Sequence, residues 1–62
     1  MNYRKLAIKE LRRKGYRLKR NGAKHDIYFN PETKSMIPLK RHDFDKGDLR
    51  YIRKEIDQEG GR

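Results

Sequence analysis

A single histidine among clustered cations is the feature of this sequence with the clearest chemical potential. His25 lies between Lys24 and Asp26, a few residues after a short run of basic side chains. An imidazole that titrates near neutral pH can accept the proton of a ribose 2′-hydroxyl, while cations neutralise the charge that develops on the phosphate. Because RNA supplies its own nucleophile, one histidine in a basic site is the minimum that RNA cleavage requires.

The spacing around His25 is equally compatible with a purely structural histidine. If a strand over about 24–29 alternates, His25 shares a face with Ile27 and Phe29, which we predict to be core residues. That face would bury the imidazole, and a lone histidine in a strand is more often structural than catalytic. Spacing alone therefore leaves both interpretations open.

No other pattern in the chain indicates catalysis or a bound cofactor. The sequence has no cysteine and two histidines, too few for a structural zinc site without further ligands. Walker and Rossmann patterns are absent, and neither Ser35 nor Thr33 lies in a nucleophile elbow. We therefore predict no metal ion and no cofactor.

The charge of the chain is large and unevenly distributed. The 62 residues include 18 Lys and Arg against 9 Asp and Glu, a formal charge of +9. Residues 1–42 hold 13 of those cations and 3 acidic residues, whereas residues 43–62 are close to neutral. A basic surface attracts polyanions, so RNA or DNA is favoured as a partner over an anionic membrane. Simple solubility would also explain the charge.

Length and apolar content limit the chain to one small domain over 1–62. Leu, Ile, Val and Phe total 12 residues, and this low content combined with high charge is also typical of disorder. The longest apolar run, 36–39, is far shorter than the roughly 20 residues of a membrane span. The N-terminus has no apolar segment of the kind found in signal peptides. We expect a cytoplasmic protein that does not associate with membranes.

Hydrophobic periodicity predicts a helix near each end of the chain. The first covers about 3–14, with Asn2 as its N-cap and Gly15 as its stop. The second covers about 46–58, with Asp45 as its cap and Asp48 near the positive end of the helix dipole. The two apolar stripes are Tyr3, Ala7 and Leu11, and Leu49, Ile52 and Ile56.

Three strands are predicted between the helices, at about 16–20, 24–29 and 35–39. The Asn21-Gly22 dipeptide indicates a tight hairpin between the first two strands. Pro38 in the third must lie in an edge strand or at a strand end. The predicted architecture is an α+β fold, α-β-β-β-α, with a three-stranded antiparallel sheet and both helices on one face. The predicted core residues of the strands are Tyr16, Leu18, Ile27 and Phe29.

Four short segments follow one another in an order that is informative as a set. They are Gly15-Tyr16, His25-Asp26-Ile27-Tyr28, Ile37-Pro38 and the segment 43–52. Over about residues 6–56 this set resembles the HicA-type family of small mRNA interferase toxins. That family has Gly-aromatic, His-x-x-aromatic, apolar-Pro and acidic-apolar-x-x-Gly-Thr-Leu-Arg-x-Ile at these places. It usually has glycine two residues before the histidine, where this chain has Ala23 and places Gly22 one position earlier.

The resemblance implies a double-stranded-RNA-binding-domain-like fold and a metal-independent endoribonuclease that cleaves mRNA and inhibits translation. It places His25 at the position of the family's catalytic histidine. It also implies a type II toxin–antitoxin system, in which a HicB-type antitoxin protein covers His25. The cations expected to bind RNA phosphates around this histidine are Arg17, Lys19, Arg20, Lys24, Lys40 and Arg41.

Two other functions are compatible with the same residues. The chain could be a basic RNA-binding module without catalysis, or a basic protein whose only partner is an acidic protein. The enzyme and the RNA-binding module differ at His25. Replacing His25 by alanine should abolish cleavage if the chain is the enzyme, and should barely change RNA binding if it is the module.

Overall fold

A computed structural model describes residues 2–60, and residues 1, 61 and 62 of the predicted domain lie outside that range. The elements follow the order helix, three strands, helix, which confirms the predicted α+β fold class. Each boundary lies within two residues of its predicted position. The elements are α1 (Tyr3–Arg13), β1 (Arg17–Asn21), β2 (His25–Asn30), β3 (Ser35–Lys40) and α2 (Lys46–Gly60).

Both helices begin at the capping residues that the sequence predicts. The Asn2 side chain accepts a hydrogen bond from the Lys5 N–H over 3.1 Å at the start of α1. Gly15, just after α1, has a φ of +93°, the left-handed conformation that favours glycine at a helix end. At the start of α2, Asp45 and Asp48 each accept the other's backbone N–H, over 3.1 and 3.0 Å.

The three strands form one antiparallel sheet in chain order, so β2 is central and β1 and β3 are the edges. The pairing of β2 with β3 is unbroken from His25 opposite Lys40 to Asn30 opposite Ser35. Pro38 lies in an edge strand, as its missing N–H requires.

The core lies between one face of the sheet and the two helices. Residues of both helices and of the inward-facing strand positions form a single apolar cluster, so the helices cover the same face of the sheet. We call this the inner face and the opposite one the outer face. The buried core residues are Ala7, Leu11, Tyr16, Tyr28, Ile37, Leu39, Leu49, Ile52 and Ile56.

The predicted core was wrong for the side chains of the first two strands, apart from Tyr16. Ile27 and Phe29 lie half-buried on the outer face, and Leu18 is 47% exposed. Tyr28 takes the core position instead, directly opposite Ile37 of β3. β2 has apolar side chains at both odd and even positions, so its own sequence pattern does not determine which face of the strand is buried. Pairing with the alternating residues of β3 decides it.

Candidate functional site

His25 is exposed at the first position of β2, on the outer face of the sheet. Side chains alternate along this strand, so His25 shares its face with Ile27 and Phe29, as predicted. The expectation that this face would bury the imidazole is wrong, because the helices cover the other one. Because both helices cover the inner face, the imidazole of His25 on the outer face is accessible to a ligand.

The turn before His25 is longer than the predicted Asn-Gly hairpin. β1 ends at Asn21 and β2 begins at His25, so residues 22–24 form the connection. A two-residue type I′ turn needs positive φ at both central residues, and Gly22 does not adopt it. The role of Gly22 is instead one of space, since a Cβ on this residue would overlap the carbonyl oxygen of His25.

Three hydrogen bonds hold this turn and the backbone of His25 in place. The Gly22 N–H donates to the carbonyl oxygen of His25 over 2.9 Å, and the Arg41 N–H donates to that of Lys24 over 3.1 Å. The Arg41 guanidinium donates to the carbonyl oxygen of Gly22 over 2.9 Å. The end of β3 is thereby linked to the turn that leads into His25.

A buried carboxylate lies directly beside His25 in the sequence but on the inner face. Asp26 is 8% exposed and pairs with Arg4 of α1 over 2.5 Å and with Arg41 over 3.7 Å. Arg4 also donates to the carbonyl oxygen of Lys40 over 2.9 Å. The ion pairs thus join α1, β2 and the end of β3 beneath the position of His25.

The sequence does not predict a role for Asp26. Its partners lie 22 residues before it and 15 residues after it, beyond the range of any local pattern. The available signal was that Asp26 is the one acidic residue within the three strands.

Lys40 is directly opposite His25 in the β2–β3 pair, which brings their side chains to one end of the outer face. Its ammonium group lies 3.2 Å from the carbonyl oxygen of Asp43 and 3.4 Å from the Asp48 carboxylate. The Asp45 N–H, which donates to Asp48, and the Lys40 ammonium lower the pKa of Asp48 below its ordinary value of 3.8. Lys40 is therefore held in place by the start of α2.

A small depression of about 160 Å³ lies next to His25 at the β3 edge. Tyr51 of α2 lines this depression and is 53% exposed. Its hydroxyl donates a hydrogen bond to Glu55 over 3.2 Å, and this bond raises the pKa of Tyr51 above its ordinary value of 10.0. The side chains lining the depression are His25, Pro38, Lys40, Phe44, Asp48, Tyr51 and Ile52.

A β-bulge in β1 brings two consecutive cations to the outer face. The register with β2 shifts between Leu18 and Arg20, so that Arg20 lies opposite Ile27. Lys19 places its ammonium 4.8 Å from the centre of the Phe29 ring. Strict alternation would send Arg20 to the inner face, and the bulge turns it outward beside Lys19, where both line one shallow depression.

The predicted RNA-binding cations are not all arranged alike. Arg17, Lys19 and Arg20 line β1 on the outer face, Lys40 lies opposite His25, and Lys24 is exposed in the turn. Arg41 differs, because its guanidinium group contacts the turn and Asp26. The outer-face strand positions carry no carboxylate; they are Arg17, Lys19, Arg20, His25, Ile27, Phe29, Met36, Pro38 and Lys40.

A second basic depression, of about 920 Å³, lies at the opposite end of the sheet from His25. The end of α1 and the start of β1 form it, together with the turn after β2. Its cations are Arg12, Arg13, Lys14 and Arg17, and Glu32 is the acidic residue among them. The sequence does not predict this surface, because its residues come from three separate elements.

Neither helix within residues 2–60 has the length and apolar character needed to pass through a bilayer. Over the same residues, no three His, Cys, Asp or Glu side chains come together as a possible metal site.

Comparisons with protein-family models, with curated proteins and with solved structures found no match to this chain. The resemblance to HicA-type toxins therefore rests on the short segments quoted above.

Proposed function

We propose that this protein is a metal-independent endoribonuclease in which His25 is the catalytic residue. The observation that carries the proposal is the exposed imidazole of His25 opposite Lys40, on a sheet face with no carboxylate among its strand residues. An imidazole can gain and lose a proton near neutral pH, and a neighbouring ammonium group favours a phosphate ligand.

The proposed reaction is a transesterification within the RNA itself. His25 accepts the proton of a ribose 2′-hydroxyl as the 2′-oxygen forms a bond to the adjacent phosphorus. The bond from phosphorus to the 5′-oxygen of the next nucleotide breaks, and the imidazolium returns its proton to that oxygen. The products are a 2′,3′-cyclic phosphate and a 5′-hydroxyl, and the Lys40 ammonium stabilises the negative charge of the intermediate.

The 2′-oxygen, the phosphorus and the departing oxygen must align for this attack. An RNA backbone in A-form geometry does not allow that alignment, so the substrate is single-stranded or locally opened RNA. The fixed turn before His25 supports the proposal, because a catalytic group must be held close to its productive position.

The biological role that we propose follows from the resemblance to HicA-type toxins. The chain would cleave mRNA in the cytoplasm and inhibit translation as the toxin of a type II toxin–antitoxin pair. A HicB-type antitoxin with an acidic surface would cover His25. The formal charge of +9 supports an acidic protein partner as well as RNA.

A second candidate function is RNA binding without catalysis. It is favoured by the surface that the cations of β1 form with the apolar residues beside them. This surface is suited to binding RNA whether or not His25 is catalytic.

The test compares purified wild-type protein with His25→Ala and His42→Ala, all incubated with a mixed mRNA in EDTA. His42 is an exposed histidine outside the strands and serves as the matched control. We expect wild type and His42→Ala to yield 2′,3′-cyclic phosphate ends and His25→Ala to yield none. Equal cleavage by His25→Ala would overturn the role of His25. Salt-dependent RNA binding without cleavage by wild type would support the binding module instead.

A further inference from the structure

We propose that an apolar strip on the outer face binds unpaired bases of single-stranded RNA next to the scissile phosphate. The strip consists of Ile27, Phe29, Met36 and Pro38. The inference deepens the proposed function by naming how the substrate is held, and it rests on that function only for the position of the scissile phosphate.

The four residues of the strip form one continuous surface. Ile27 lies directly opposite Pro38, and Phe29 lies directly opposite Met36. Opposed side chains in an antiparallel pair are about 5 Å apart, so the two pairs are in contact across the strands. Met36 is 57% exposed, Pro38 is exposed, and the other two are half-buried. The helices lie on the other side of the sheet and leave this surface uncovered.

Cations border the strip along one side. Lys19 and Arg20 line the same shallow depression as Ile27, Met36 and Pro38. Lys19 also lies over the ring of Phe29. Single-stranded nucleic acids are bound in this way, with phosphates along a basic groove and bases against flat apolar or aromatic side chains. Cations border this surface and its strand residues include no carboxylate, so a polyanion such as RNA fits it better than a second copy of this basic chain does.

The strip begins next to His25 and extends along β2. Ile27 and Phe29 are two and four residues further on, which at about 3.3 Å per residue places the second roughly 13 Å from the histidine. A phosphate at His25 and Lys40 would therefore have neighbouring nucleotides above the strip. The two opposed pairs offer two successive positions for bases.

The inference is tested by binding measurements with the His25→Ala protein, which keeps the RNA intact. The probes are a labelled single-stranded RNA of mixed sequence and an abasic strand of equal length that carries the same phosphates. We expect the abasic strand to bind more weakly by roughly 5- to 150-fold for each base that stacks on the strip. Adding Met36→Ser should weaken binding of the RNA but leave binding of the abasic strand unchanged.

Leu18→Ser is the matched control, because Leu18 is an exposed apolar residue of β1 outside the strip. It should leave both affinities unchanged. Phe29→Leu is a second variant, which retains apolar area and removes the aromatic ring. It should weaken binding of the base-bearing RNA less than Met36→Ser does, and leave binding of the abasic strand unchanged.

Equal affinity for the two strands would overturn the inference while leaving cleavage through phosphate recognition intact. Tighter binding of double-stranded than of single-stranded RNA would also overturn it. If Met36→Ser changes only self-association in sedimentation, the strip is a contact between copies and the inference is wrong. Base-dependent binding by a wild-type protein that cleaves nothing would support the inference and contradict the proposed enzyme.

Discussion

The N–H of Gly22 donates to the carbonyl oxygen of His25 over 2.9 Å, and this close approach leaves no room for a side chain on Gly22. The glycine is needed for its lack of a Cβ and not for an unusual φ. The proposed catalytic residue is therefore positioned by a backbone contact three residues earlier in the chain.

Replacing Gly22 by alanine should displace the turn and His25 with it. The added Cβ overlaps the His25 carbonyl oxygen, and relieving such an overlap typically costs about 1–3 kcal/mol. We expect a lower midpoint in thermal unfolding and slower RNA cleavage.

Gly47→Ala is the control for that variant. A Cβ on Gly47 would meet only the Asp45 carboxylate, at 3.3 Å. Its cleavage rate should match wild type, and Gly22→Ala cleaving equally fast would show that the turn does not position His25.

Asp26→Asn should destabilise the protein by about 2 kcal/mol. The substitution removes the charge from a buried carboxylate that accepts a hydrogen bond from Arg4 and forms a longer ion pair with Arg41. A hydrogen bond to a charged group is worth about 1.5–3 kcal/mol. Urea unfolding of Asp57→Asn, at an exposed position of α2, is the comparison and should differ from wild type by less than about 0.5 kcal/mol. No difference between the two variants would mean that the pairs contribute nothing to stability.

Arg41→Lys separates two roles for this residue, binding of RNA and positioning of the turn. Lysine keeps the charge but cannot reproduce the contacts to Gly22 and Asp26. We expect cleavage to fall by at least about tenfold, with RNA affinity and its salt dependence nearly unchanged. Weaker RNA binding with an unchanged rate of cleavage in the bound complex would instead make Arg41 a direct RNA ligand.

The order of elements could be predicted because its signals are local. Asn2, Gly15 and Asp45 mark helix ends through contacts within a few residues, and the apolar stripes repeat at helical spacing. These features depend on short stretches of chain, so they can be predicted without any knowledge of tertiary contacts.

The buried face of β2 could not be predicted in the same way. The strand sequence His-Asp-Ile-Tyr-Phe-Asn has apolar residues at both odd and even positions, and a carboxylate such as that of Asp26 is rarely buried unless it is paired. Burial of Asp26 becomes favourable only when Arg4 and Arg41 neutralise it, and both arrive from distant parts of the chain.

The bulge in β1 was missed for a related reason. Tyr16 to Arg20 alternates cleanly in sequence, and nothing in it marks the extra residue that shifts the register after Leu18. The site was consequently predicted with its histidine and its cations but without the outward position of Arg20.

The stability that Asp48 provides should depend on pH only in acid. Because the pKa of Asp48 is lowered in the folded protein, its charged form stabilises the fold above pH 3.8 and this contribution is lost as the pH falls through the lowered value. We therefore expect Asp48→Asn to lower the unfolding temperature at pH 6, with the difference from wild type vanishing well below pH 3.8. A difference that persists in strong acid would contradict the assignment to the charged cap.

The bulged strand β1 is also a free edge of the sheet, and every one of its residues is exposed. An edge with open backbone groups invites another sheet to pair with it, and like charges prevent two copies from doing so. β3 has Pro38 for the same purpose, so the two edges resist aggregation by different means. A polyanion that neutralises β1 removes that repulsion, and apolar substitutions there would promote aggregation. Glutamine, which keeps the edge polar, is therefore the better replacement for probing Lys19 and Arg20.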